Sequence, residues 1–172
     1  MNTSTAIGLL IILALITANL PFVAQRPFLV LPWAAPGGRT VAGATRWLES
    51  IVFFAVLAVL GYVTWSWVAS SLATGFAVLL RVVVMGVLFA ACLAYPGYAA
   101  RGKPTVVKPV FQRLVEVLVF YVLVGLMAFA LEASIGNVFV QGWEFYVITF
   151  SLFLVFAYPG FVWRYLMRHR QG

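Results

Sequence analysis

The side chains able to do chemistry in this 172-residue chain are few, and most sit inside or beside long apolar runs. The acids are four glutamates, Glu49, Glu116, Glu132 and Glu144, with no aspartate, and there is one cysteine, Cys92, and one histidine, His169. Glu49 and Glu116 each follow an arginine by three residues, in RWLE and RLVE. On a helix, positions i and i+3 share a face. Contact with Arg46 and Arg113 at a helix start, where the macrodipole favours an acid, therefore accounts for both glutamates. The sharper alternative is a symmetric pair of inner-face carboxylates that relays protons or grips a partner helix.

Arg81 is the basic residue hardest to explain. It lies about six residues into an apolar run, roughly 9 Å along a helix. An arginine there should face protein or water and find a partner. The expected partner is Glu144, in an ion pair near the outer membrane face; the alternative is that Arg81 snorkels outward. Asn19, also in an apolar run, is expected to bond to a neighbouring helix.

With one cysteine, one histidine and no aspartate, the side chains that bind metals or run hydrolysis are nearly absent, and no internal disulfide is possible. The expectation is a protein that is not an enzyme, with no catalytic, metal-binding or cofactor-binding residue and no cofactor.

The elements that carry these residues follow from composition. The chain is 65% hydrophobic and 9% charged, with mean hydropathy +1.08, whereas a soluble domain carries about 25% charged residues. The fold class expected is all-α integral membrane: a five-helix bundle made of one N-terminal span and two helical hairpins. The spans read are 6–24, 47–65, 75–95, 114–131 and 144–163, each matching the roughly 20 residues that cross a hydrocarbon core. MNTST has no basic residue, so the first is read as a retained span and not a signal peptide.

If the N-terminus lies outside, Arg26, Arg39 and Arg46, then Arg101, Lys103, Lys108 and Arg113, then Arg164, Arg168 and Arg170, all fall on the cytoplasmic side, with the C-terminus. The net charge of +7 is then a consequence of topology, and nucleic acid is not expected as a partner. Trp33, Trp47, Tyr98, Trp163 and Tyr165 would form the inner aromatic belt, and Tyr62, Trp65, Trp67, Trp143 and Tyr146 the outer one.

The two hairpins read as a repeat. AYPGY at 94–98 returns as AYPGF at 157–161, and RWLESIVFF at 46–54 resembles QRLVEVLVF at 112–120 when Arg46 is laid on Arg113. Both hairpins would run in, out and back, giving a parallel repeat about an axis along the membrane normal. The domain reading is a single membrane domain over 1–172: span 6–24, hairpins 46–102 and 113–166, and a basic interfacial tail 164–172. Pro96, Gly97, Pro159 and Gly160 are read as hinges or helix ends, because proline removes a donor and glycine permits a bend.

ANLPFVAQRPF (18–28), RLVEVLVFYVLVG (113–125) and QGWEFYVITFSLFLVFAYPGFVWRYL (141–166) resemble a family of short bacterial inner-membrane proteins of unknown function. Its members are often encoded beside the genes of the respiratory NADH-quinone oxidoreductase. Members usually have three spans, so the hairpin 46–102 is a departure and reads as a diverged internal duplicate. The resemblance implies an accessory or assembly role near that complex, in the bacterial inner membrane, and transfers no catalytic residue.

Three functions are therefore expected in descending order: a non-catalytic scaffold or accessory protein in contact with lipid and with other membrane helices or copies of itself; a small transporter or proton path using the intramembrane glutamates and Arg81; and a lipid- or quinone-binding protein.

Overall fold

The computed structural model describes residues 3–33, 43–69, 75–99, 108–136 and 140–167. Among these the chain is all-α, with α1 Thr3–Val23, α2 Gly43–Thr64, α3 Gly75–Ala99, α4 Val110–Ser134 and α5 Trp143–Val162. A π-helical turn, Trp65–Ala69, extends α2, and another, Trp163–Met167, extends α5. All five helices are long and apolar enough to cross a membrane, as their composition demands. Arg39, Arg101, Lys103, Arg168, His169 and Arg170 lie outside the described residues.

The spans run longer than the sequence predicts, and one reason corrects an expectation. Pro96 and Pro159 lie inside α3 and α5, and helix continues through Gly97 and Gly160. The prolines thus do not stop their helices: the first pentad lies in the closing turns of α3, described to Ala99, and α5 runs on past the second to Val162. Proline costs a helix one N–H, but in apolar surroundings neighbouring segments can satisfy the freed groups. Beside them, Asn19 of α1 bonds to Phe156 and Gly160 of α5, and Arg26 bonds to Gly97 of α3.

α1 is the centre of the bundle. It packs against both α4 and α5 more extensively than those two pack against each other. The expected α4–α5 hairpin is therefore wedged open by α1. α1 and α5 run parallel, with Asn19 beside Gly160 and the Phe22 and Phe161 rings edge to face at 5.9 Å. Small residues on the shared face, Ala18, Ala157 and Gly160, are buried and allow this approach, which is how helices pack when lipid removes the hydrophobic driving force. One core cluster draws on all five helices, through Ala18, Phe53, Phe89, Phe120 and Phe153 among others.

At the far end α4 closes on Gly136, whose φ of +79° suits glycine just past a helix end. Nine of the ten belt aromatics are exposed, and Tyr165 is half-buried.

Candidate functional site

The polar groups collect at the end of the bundle where α1, α3 and α5 finish and α4 begins. After Val23 the chain folds back across α4: Leu29 is buried in the core and the Phe28 ring meets Phe120 edge to face at 5.5 Å. This places the Phe28 N–H 3.0 Å from Glu116 Oε1, to which it donates. The other carboxylate oxygen pairs with the Lys108 ammonium. The two side chains are 0% and 1% exposed, and the ammonium also sits 4.9 Å from the Phe28 ring centroid. Burial pushes the Lys108 ammonium below the ordinary lysine value, against the opposing pull of Glu116.

Arg113, one turn before Glu116, is also buried. It donates to the carbonyls of Pro21 and Phe22 at 2.9 and 3.0 Å. These carbonyls belong to the last turn of α1, which has no intrahelical donors for them, and a cation is favoured at that negative end. α1 has no basic residue of its own there, so α4 supplies its cap. Arg26 does the same for α3, donating to the Gly97 carbonyl at 3.2 Å.

The pentad glycines now have a role. A Cβ on Gly160 would lie 2.8 Å from Asn19 Oδ1 and 3.3 Å from Asn19 Cα; one on Gly97 would lie 3.2 Å from Arg26 Cβ. Both glycines admit residues from the end of α1 or just beyond. Asn19 accepts from the Gly160 N–H at 2.6 Å and donates to the Phe156 carbonyl at 2.8 Å. Those two groups would pair with each other in a regular helix, so the Asn19 carboxamide bridges a rung of α5, meeting the expectation of an interhelical bond.

Other expectations need correction. Glu116 bonds to Lys108 and Phe28, while the Arg113 guanidinium faces α1. Glu49 is exposed and makes no ion pair with Arg46. The two glutamates thus form no symmetric inner-face pair. Neither lies in a first helical turn, since α2 and α4 begin at Gly43 and Val110, so the macrodipole does not explain them. Arg81 and Glu144 make no ion pair either. Arg81 donates to the Trp67 carbonyl at 2.9 Å and lies 5.7 Å from a Trp67 ring centroid, whereas Glu144 is exposed in the first turn of α5. The π turn after α2 brings Trp67 to Arg81 within the first hairpin, sooner in the chain than α5 could.

Sequence reasoning counted Lys108 and Arg26 only as topological charges, and gave Arg113 to Glu116. A signal was available in QRPF, a basic residue and proline directly after an uncapped helix end. The Lys108–Glu116 spacing carried none, because Lys108 precedes α4 and reaches Glu116 from outside the helical register.

A second feature lies toward the opposite end. Because α1 separates α4 from α5, an apolar cleft of about 450 Å³ runs between them over a floor of Leu10, Ile11 and Ala14. Tyr121 stands in it, its hydroxyl bonded to Thr149 Oγ1 at 2.9 Å. Phe129, Phe145 and Tyr146 cluster farther along, with centroids 5.6 to 6.2 Å apart. Glu132, one turn beyond Phe129, also lines the cleft, and its buried Oε2 has no hydrogen-bond partner among the described residues. Among those residues no group of histidine, cysteine and acidic side chains is arranged to hold a metal.

No curated protein and no solved structure matches the chain. A family profile does so twice, over residues 6–104 and again over residues 100–168, in agreement with the resemblance to an uncharacterised family. With matches that together extend from one end of the bundle to the other, the chain belongs to the family described as Protein of unknown function (DUF2818).

Proposed function

We propose that the protein is a non-catalytic accessory or assembly component of a larger membrane complex, beside the respiratory NADH-quinone oxidoreductase of a bacterial inner membrane. The observation that carries this reading is how the buried charges are used: Lys108 and Glu116 hold each other, and Arg113 holds the end of α1. Charges spent on internal ties serve architecture, and they leave long apolar helix faces such as Ile51, Val59 and Tyr62 of α2 outward for neighbours. The identity of the complex rests on the resemblance alone. The orientation that goes with this reading has the N-terminus outside and the Arg113 end at the cytoplasmic face, where basic residues concentrate.

The hairpin 46–102 is, in this reading, an added copy of 113–166. Two profile matches on one chain support that, as do Gly97 and Gly160, which occupy the same place in the pentad and both receive residues of the α1 end.

Gentle extraction of a tagged copy, native-gel separation and mass spectrometry of the comigrating chains test the proposal. Comigration with oxidoreductase subunits is expected. Migration alone, or as a small homo-oligomer, would overturn the accessory role.

The second reading, a small transporter or proton path, draws on the buried Lys108–Glu116 pair, since ionisable residues inside a span often mark a pathway. It requires flux in oriented proteoliposomes that disappears in Glu116→Gln, and an absence of flux removes it.

A further inference from the structure

The cleft between α4 and α5 has features beyond those of a packing gap. Its volume of about 450 Å³ falls within the roughly 300–1,000 Å³ of small-molecule sites. Its floor and most of its walls are apolar, and no basic residue lines it. Glu132 lies in the last turn of α4, at the negative end of the helix macrodipole, with no basic residue in that turn. Its buried Oε2 lacks a donor among the described residues, a costly state for a carboxylate oxygen. Close by, the Phe129, Phe145 and Tyr146 rings form an aromatic cluster, and aromatic faces attract ammonium groups. Glu144, exposed next to Phe145 in the chain, adds negative charge at the same end.

We propose that this cleft binds a phospholipid with a primary-ammonium headgroup. One acyl chain lies along the floor of Leu10, Ile11 and Ala14, and the ammonium donates to Glu132 beside the aromatic cluster. The vacant acceptor selects the headgroup: a primary ammonium offers N–H donors, and a quaternary one offers none. Glu132 is near the end of α4, so the ammonium sits at headgroup depth while the chain enters the hydrocarbon. The site does not depend on the protein joining a larger complex.

The test is native mass spectrometry of delipidated protein titrated with phosphatidylethanolamine, phosphatidylcholine or phosphatidylglycerol of identical acyl chains. A charge-assisted hydrogen bond of ordinary strength gives phosphatidylethanolamine an advantage of about tenfold or more over phosphatidylcholine. Glu132→Gln should remove that advantage, weakening phosphatidylethanolamine far more than phosphatidylcholine. Gly125→Leu should weaken all three lipids, because Gly125 lines the cleft and has open space where a Cβ would stand. Equal binding of the ethanolamine and choline lipids, a preference for phosphatidylglycerol, or an ethanolamine preference that survives Glu132→Gln would each overturn the proposal. So would an isoprenoid quinone copurifying in the cleft and lost in Gly125→Leu.

Discussion

Replacing Glu116 with leucine tests the central ion pair. The change leaves the Lys108 ammonium, on a side chain 1% exposed, without its counter-ion. Removing one partner of a buried pair costs about 3–5 kcal/mol. A check on that figure is the escape route: deprotonating a lysine of ordinary value at neutral pH costs about 5 kcal/mol, at about 1.36 kcal/mol per unit. The Phe28 N–H also loses its acceptor, adding about 1–3 kcal/mol. Glu116→Leu should therefore cost about 4–8 kcal/mol, and Lys108→Met, which strands the carboxylate, about 3–5 kcal/mol. Independent effects would sum to about 7–13 kcal/mol. The double variant instead removes both charges and strands only the Phe28 N–H, so its cost should fall to about 1–3 kcal/mol. The assay is circular dichroism of helix loss during titration of a denaturing detergent into mixed micelles, with Glu116→Gln as the milder variant should Glu116→Leu not fold. A double variant as unstable as the sum of the singles would refute the reasoning.

Asn19→Leu should cost about 2–5 kcal/mol in the same assay, since the Gly160 N–H and the Phe156 carbonyl both lose a partner. Gly160→Ala, whose Cβ would press on Asn19, should cost about 1–3 kcal/mol, and Gly97→Ala, with the looser contact to Arg26, less; Gly86→Ala, with nothing within 4 Å, should be neutral or slightly stabilising. If Gly160→Ala proves as benign as Gly86→Ala, the close approach of α1 is wrong. Exchanging the charges, Arg81→Glu with Glu144→Arg, should give no rescue over the single changes in expression or melting temperature, because Arg81 is bound to Trp67; a clear rescue would restore the pair that sequence reasoning expected. Glu49→Gln should shift stability by less than about 0.5 kcal/mol, as for an exposed side chain, whereas Glu116→Gln should not.

The sequence by itself determined that this is an all-α chain with five apolar helices. Helix length and hydropathy are local properties set by the bilayer dimension, and Asn19 was visible as a polar group needing a partner in an apolar run. The pentads were visible too, but their meaning was not, because proline and glycine have the same local propensities at a helix end as at a packing contact. Only the tertiary structure decided that α1 occupies the centre, and this one placement made Gly97 and Gly160 receptor positions for the chain around Asn19 and Arg26. It also turned Arg113 away from Glu116 toward the uncapped end of α1, and gave Glu116 to Lys108, a residue outside the helical register. The two glutamates that look equivalent in RWLE and RLVE separate for the same reason: α1 and its following segment cover α4, while Glu49 remains exposed. Burial and partnership are properties of the neighbours a side chain meets, and Phe28, which covers Glu116, and Asn19, which meets Gly160, are 88 and 141 positions away.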